Sequence, residues 1–193
     1  MINIAVFASG TGTNFMAFYQ HIRETKVPIK IACLICDQPH AQVVTKADEL
    51  GIPVWTHHLR EFEDKASYEE AILRELKKYN LALIILAGYM KIVTKVLLEA
   101  YPHAILNIHP TLLPSFPGRH GIEDAFEYGV KITGVTIHWI DGGIDTGPII
   151  AQQPVPVLQG DDVEHLAQRI HQVEHDLYFR SICQVLKQRK LIN

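Results

Sequence analysis

The feature that most constrains the fold is a series of short apolar runs, each followed by a turn and then by a segment with helical spacing. The runs span residues 2–8, 30–36 and 81–87. The helical segments that follow them span residues 15–22, 41–50 and 94–100. Uninterrupted apolar runs are typical of strands that are buried on both faces of a parallel sheet. The pattern therefore predicts an α/β, Rossmann-like fold, a mostly parallel sheet flanked by helices with right-handed crossovers.

The rest of the chain continues this alternation. Further strands are predicted at residues 53–56, 105–109, 133–140 and 149–153. Further helices are predicted at residues 65–79, 120–128 and 161–187, the last with Asp161 as its N-terminal cap. Because no repeat, low-complexity tract or linker interrupts the series, residues 1–193 are expected to form a single domain.

Composition excludes several classes of protein. The net charge is −3, so the chain lacks the basic surface of a nucleic-acid-binding protein. No apolar run approaches the ~18 residues that a membrane span needs, and the first residues read as a strand rather than a signal peptide. Three cysteines indicate a reducing compartment, so a cytoplasmic protein is expected. Cys33 and Cys36 point to opposite faces of one strand and are interpreted as core residues.

A glycine-rich turn, Ser-Gly-Thr-Gly-Thr-Asn at residues 9–14, joins the first strand to the first helix. Backbone N–H groups and the helix dipole converge at such a junction and favour an anion. Phe15 stands where the dinucleotide-binding fingerprint has glycine or alanine, so a single phosphate fits better, with Thr13 and Asn14 adding side-chain contacts. A plain tight turn with no ligand is the alternative.

The second candidate site lies in Ile-Leu-Asn-Ile-His-Pro, residues 105–110. Asn107 and His109 are two residues apart on a predicted strand, so an amide and an imidazole project from the same face just before Pro110 ends the pairing. A capping asparagine and a buried core histidine are the alternative. Asp145, in a later turn, is a candidate to orient and charge His109 if both strand ends lie on the same side of the sheet.

Two metal-like patterns are rejected. His171 and Glu174 belong to a His-x-x-Glu-His sequence, but the further glutamate ligand that zinc requires in such proteins is absent downstream. The Asp-Gly-Gly-Ile-Asp turn at residues 141–145 is a single copy and weak evidence for calcium. No metal is expected.

Taken together, these segments closely resemble the phosphoribosylglycinamide formyltransferases of purine biosynthesis, over essentially the whole chain. The matching segments are SGTGTN, LAGYMKIV, NIHPTLLPSFPG and GVTIHWIDGGIDTGPII with the last helix. The resemblance implies a formyltransferase fold and transfer of the formyl group of 10-formyltetrahydrofolate to the amine of glycinamide ribonucleotide. It also implies small-molecule substrates, without nucleic acid or membrane, for a monomer or a homodimer.

The resemblance also implies roles for individual residues. Asn107 and protonated His109 would stabilise the oxyanion of a tetrahedral intermediate, and Asp145 would keep His109 charged. Residues expected to bind the ribonucleotide are Gly12, Thr13, Asn14 and Glu174. Residues expected to bind the folate are Lys65, Met90, Lys91, Ile92, Val93 and Asn107. Lys65 and Lys91 stand where relatives carry arginine, and a lysine lacks the bidentate fork of a guanidinium.

Three other functions are weighed against this one. A 10-formyltetrahydrofolate hydrolase would use water as acceptor and would have no use for the phosphate turn, and it is the runner-up. A methionyl-tRNA formyltransferase would carry a basic surface and a further domain. A Rossmann-type nucleotide-binding module or dehydrogenase is the third alternative. It would normally have glycine or alanine where this chain has Phe15, and Asp37 is the acidic residue that could bind a ribose.

Overall fold

The computed structural model describes residues 1–192, which form two compact units divided between Leu106 and Asn107. The prediction of one formyltransferase domain over residues 1–193 stays a prediction. Within the described residues, no helix is long and apolar enough to cross a membrane.

The first unit is built on parallel strands that follow the predicted apolar runs. They are β1 (Ile2–Ala8), β2 (Ile29–Cys36), β3 (Val54–Thr56) and β4 (Leu81–Leu86). Their order is β3-β2-β1-β4, with every neighbouring pair parallel. Side chains from Ile4 to Ala8 are fully buried, as the uninterrupted apolar run in β1 predicts.

The helices of the first unit lie where the sequence predicts them, with small shifts at their ends. They are α1 (Thr13–Thr25), α2 (Gln42–Glu49), α3 (Lys65–Leu76) and α4 (Lys95–Ala100), with a 3-10 turn at Leu59–Glu61. Phe15 and Phe18 are one turn apart on α1, and both are buried. The Asp64 carboxylate caps α3 by accepting a hydrogen bond from the Ser67 amide at 2.7 Å.

In the second unit the predicted alternation of strand and helix ends. The elements that follow α4 are β5 (Ile105–His109), α5 (Gly121–Tyr128), β6 (Ile132–Trp139), β7 (Ile149–Pro156) and α6 (Val163–Gln188). β6 and β7 pair antiparallel, so the prediction of strand and helix alternating to the end of the chain is wrong here. The link at residues 140–148 contains no helix and is too short for a parallel crossover. β7 pairs with β6 alone among the described strands.

The predicted cap of the last helix is also wrong by one residue. Asp162, rather than Asp161, accepts the hydrogen bond from the His165 amide, at 2.8 Å. Asp161 instead accepts from both terminal nitrogens of Arg169, at 2.8 and 2.9 Å. The sequence shows two adjacent aspartates and does not tell which of them caps the helix. The ion pair with Arg169 engages Asp161 and leaves Asp162 as the cap.

The cysteine interpretation is confirmed. Cys33 and Cys36 are fully buried in β2. Burial raises the pKa of the Cys33 thiol to about 12 and that of the Cys36 thiol to about 11, so both stay protonated and unreactive near neutral pH.

Candidate active site

His109 ends β5 as a buried histidine with an oxygen atom near each ring nitrogen. Its side chain is 4% exposed. Its Nε2 lies 2.9 Å from the carbonyl oxygen of Phe116, and its Nδ1 lies 3.4 Å from Oδ2 of Asp145. A ring protonated at both nitrogens can donate to both oxygens, whereas a neutral ring can donate to only one. The surroundings therefore accommodate an imidazolium.

Asp145 is the carboxylate beside this histidine, and its backbone lies in the left-handed region at φ 54°. Its Oδ2 accepts a hydrogen bond from the Gly118 amide at 2.8 Å, and its Oδ1 lies 3.6 Å from Nε2 of His138. Burial by itself would raise the pKa of the Asp145 carboxyl. The interaction with His138, the Gly118 amide and the charge of His109 outweigh burial and lower that pKa. Asp145 is therefore a carboxylate at neutral pH.

Asn107, the other predicted polar residue of β5, contacts a second histidine. Its Nδ2 lies 3.2 Å from Nε2 of His138, which is fully buried in β6. The Nδ1 of His138 donates to the carbonyl oxygen of Trp139 at 2.9 Å, so in the neutral ring Nε2 is the acceptor for the Asn107 amide. A neutral His138 therefore fixes which way Asn107 points, whereas a ring that carries a proton on Nε2 would donate to Asp145 instead.

The proline-rich loop after β5 is held by hydrogen bonds from β6. The hydroxyl of Thr136 accepts from the Leu113 amide at 3.0 Å and donates to the carbonyl oxygen of Thr111 at 2.6 Å. The peptide bond between Leu113 and Pro114 is cis. This anchoring places the Phe116 carbonyl against the imidazole of His109.

Gly121, the first residue of α5, allows that helix to approach the histidine closely. A Cβ atom at this position would lie 3.2 Å from Nε2 of His109 and 2.7 Å from Cγ2 of Thr111. The latter distance is shorter than a van der Waals contact, so a larger residue would displace the loop or the ring.

Glu174, predicted to bind the ribonucleotide, is buried in α6 and 4% exposed. Its Oε2 lies 2.8 Å from Nδ1 of His171, one turn earlier. The hydrogen bond with Glu174 raises the pKa of His171 although burial opposes it. Within the described part of the chain, no three histidine, cysteine or acidic side chains are grouped as metal ligands would be.

The predicted phosphate turn lies in the first unit, at the N-terminus of α1. Gly12 has φ 76°, in the left-handed region, and a Cβ atom there would lie 2.6 Å from Cγ2 of Val43. Thr13 and Asn14 form the first turn of the helix, and the Met16 amide donates to the Gly12 carbonyl at 3.0 Å. In the first turn of any helix the backbone amides have no intrahelical acceptors, which suits an anion.

The predicted folate segment, residues 90–93, follows β4. Met90 is 50% exposed and Ile92 is 59% exposed, whereas Val93 is 5% exposed and belongs to the core. The segment therefore offers two exposed apolar side chains to a ligand, whereas the side chain of Val93 is buried.

The two predicted folate lysines each lie beside a buried carboxylate. Lys91 Nζ is 3.6 Å from Oδ2 of Asp37, and Lys65 Nζ is 3.4 Å from Oε1 of Glu69. Lys65 also lies over the ring of Tyr68, at 5.1 Å from its centroid. Burial lowers the pKa of Lys65, and the charge of Glu69 acts in the opposite direction.

Comparison with known proteins identifies the family. The sequence matches the formyl transferase family over residues 2–182. This chain belongs to that family. The phosphoribosylglycinamide formyltransferase of Bacillus subtilis (strain 168) is 44% identical over 186 residues, 96% of this chain and 95% of that protein.

Solved structures of formyl transferases agree with this assignment. Glycinamide ribonucleotide transformylase 1 from Geobacillus kaustophilus has a TM-score of 0.93 at 46% identity, over 96% of this chain and 99% of that chain. Phosphoribosylglycinamide formyltransferase from Bacillus halodurans has a TM-score of 0.92 at 44% identity, over 95% of each chain. The predicted α/β fold class, the resemblance and the prediction of a formyltransferase are confirmed.

Two residues of the candidate site, His138 and Gly121, were not predicted from the sequence, because their local pattern hardly distinguishes them from ordinary structural residues. His138 stands inside an apolar strand pattern, where a histidine reads as an ordinary core residue. Gly121 stands at a helix start, where glycine is common. Only the position of His138 near the end of β6, just before the turn that carries Asp145, sets it apart.

Proposed function

We propose that this formyl transferase moves the formyl group of 10-formyltetrahydrofolate to the amine of 5-phosphoribosylglycinamide, in de novo purine biosynthesis. The observation that carries the proposal is the group of buried His109 with half-buried Asn107 and Asp145, in which a charged carboxylate lies beside the histidine. Acyl transfer needs hydrogen-bond donors and positive charge where negative charge develops on the carbonyl oxygen. The names of the similar proteins supply the ribonucleotide acceptor and the formyl group, and the folate donor is taken from the resemblance described above.

The amine nitrogen would form a bond to the formyl carbon, and the carbonyl oxygen would become the oxyanion of a tetrahedral intermediate. The Asn107 amide and protonated His109 would donate to that oxygen. Collapse of the intermediate would break the bond between the formyl carbon and the folate nitrogen, which would take a proton from His109. The attacking amine would lose its proton to solvent.

The geometry of His109 suggests which nitrogen donates. Nδ1 faces Asp145, whose charge would stabilise the imidazolium. Nε2 faces the neutral carbonyl oxygen of Phe116, its one hydrogen-bond partner among residues 1–192. A developing oxyanion is a stronger acceptor than a carbonyl oxygen and would replace it. Nε2 is therefore the proposed donor.

Binding of the two substrates would use the predicted residues. The phosphate would bind at Gly12, Thr13 and Asn14, and Glu174 would contact the ribonucleotide. For the folate, exposed Met90 and Ile92 suit an apolar ring, and two lysines suit its carboxylates. Lys65, Lys91, Val93 and Asn107 complete that proposed set.

Incubating the protein with 10-formyltetrahydrofolate, with and without the ribonucleotide, tests the proposal. We expect tetrahydrofolate to appear only when the ribonucleotide is present, together with an equal amount of the formylated ribonucleotide by mass spectrometry. Equal turnover without the ribonucleotide would instead identify the hydrolase. No turnover in either mixture would contradict both assignments.

A further inference from the structure

The backbone of residues 90–93 is fixed at its first residue by a chain of two hydrogen bonds. The Met90 amide donates to the hydroxyl oxygen of Ser9 at 2.8 Å. The same hydroxyl donates to Oδ1 of Asp37 at 2.5 Å. Asp37 is 1% exposed, and it follows β2 directly. The buried carboxylate of Asp37 is therefore linked to the backbone of Met90 through the hydroxyl group of Ser9.

The residue after the segment is fixed by a second buried carboxylate. Thr94 donates from its amide to Oε1 of Glu69 at 2.9 Å and from its hydroxyl to Oε2 at 2.6 Å. Glu69 lies on α3 and is 1% exposed. A buried carboxylate needs such donors, because desolvation without them disfavours the charged form.

Each of these two carboxylates also lies close to the ammonium group of one lysine. Asp37 faces Lys91 and Glu69 faces Lys65, at the distances given above. A lysine side chain has four rotatable bonds, so a fixed anion restricts where its ammonium group lies. Two residues thus determine both the backbone of the segment and the positions of the two cationic groups next to it.

We propose that Asp37 and Glu69 are positioning residues for the folate, which act through residues 90–93, Lys65 and Lys91. This inference rests on the proposed function, since it takes those residues as the folate-binding set. Neither carboxylate contacts the formyl group in this assignment. Their loss therefore weakens binding of the folate and leaves the chemical step unchanged.

The test compares steady-state constants of isosteric variants. We expect Glu69→Gln and Asp37→Asn to raise KM for 10-formyltetrahydrofolate about tenfold, the size of one lost hydrogen bond to a charged group. KM for the ribonucleotide and kcat should stay within about twofold of wild type. Glu75→Gln is the matched control, because Glu75 lies on the same helix α3 and its ion pair is with a different lysine, Lys78. All constants of this control should remain at the wild-type level.

Two further variants separate positioning from a general loss of structure. Ser9→Ala removes the link to Met90 and should raise KM for the folate. Ser9→Thr keeps the hydroxyl, so its KM for the folate should stay near the wild-type value. If Glu69 acts through Lys65, Glu69→Gln should add little to the effect of Lys65→Met. A rise in both KM values together in Asp37→Asn and Glu69→Gln, or full additivity of Glu69→Gln and Lys65→Met, would overturn the inference. If wild-type protein transfers no formyl group, the proposed function fails instead.

Discussion

The residues around His109 and the segment of residues 90–93 are both organised by carboxylates, but the partners of those carboxylates differ. Asp145 faces two histidines, whose imidazole rings have two nitrogen atoms that can carry a proton. Asp37 and Glu69 each face the ammonium group of one lysine. In our proposals Asp145 assists proton transfer by His109, whereas Asp37 and Glu69 place the positive charges of two lysines. The same kind of side chain thus serves the reaction in one region and binding in the other.

The largest expected effect tests the chemical half of this comparison. His109→Ala should lower kcat about a thousandfold, because it removes both a proton donor and positive charge. Asp145→Asn should lower kcat by a similar factor, since the amide cannot stabilise the imidazolium. Because the two residues act as a unit, the double variant should be little slower than His109→Ala alone. Rapid-quench measurement of the formylated product checks this, and a double variant as slow as the product of the single losses would separate the two residues.

The second expected effect concerns the backbone of the phosphate turn. Gly12→Ala should destabilise the protein by about 2 kcal/mol, because alanine is strained at φ 76° and its Cβ would overlap Val43. Thermal unfolding measures the loss, and KM for the ribonucleotide should rise with it. Gly10→Ala is the matched control, since a Cβ there meets nothing within 4 Å, and its stability should change by less than about 0.5 kcal/mol. Equal losses in both variants would contradict the role of Gly12.

A smaller effect is expected at His138, which orients Asn107 without being a proposed donor to the substrate. His138→Phe keeps a ring but removes the acceptor for the Asn107 amide, and it should lower kcat about tenfold. The amide oxygen of a glutamine reaches roughly the place of Nε2, so His138→Gln should recover most of the activity. Equal losses in both variants would indicate a packing role alone.

The smallest effect is a pH dependence at α6. The pKa of His171 is raised by Glu174, so this pair stabilises the folded protein below the ordinary histidine pKa, and the gain is lost as pH rises through the raised value. With the His171 side chain 48% exposed, solvent screening keeps the gain small. An NMR titration should show the raised pKa fall in Glu174→Gln. It should not change in Asp176→Asn, which breaks a different ion pair on the same helix.

The sequence predicts most of the fold because the buried strands are mainly apolar runs that a local pattern reveals. The antiparallel pairing of β7 is also readable from the sequence, because the link between the two predicted strands is too short for a parallel crossover. The sequence does not show which aspartate caps α6, because the ion pair between Asp161 and Arg169 decides it.

For the candidate site the limit is similar. Asn107, His109 and Asp145 stand at strand ends and in turns, where polar residues are conspicuous against an apolar pattern. His138 and Glu69 are polar residues within strand and helix, and only burial and distance show what they contact. Burial of a charged residue on a helix depends on neighbours that are remote in sequence.

The outer strand β7 has a consequence for how the protein behaves at high concentration. Pro154 and Pro156 are two residues apart, so their nitrogen atoms face the same side of the strand. β7 pairs with β6 on one side only, and proline has no N–H group to offer a further strand. An open edge of this kind is a poor template for edge-to-edge aggregation into fibrils.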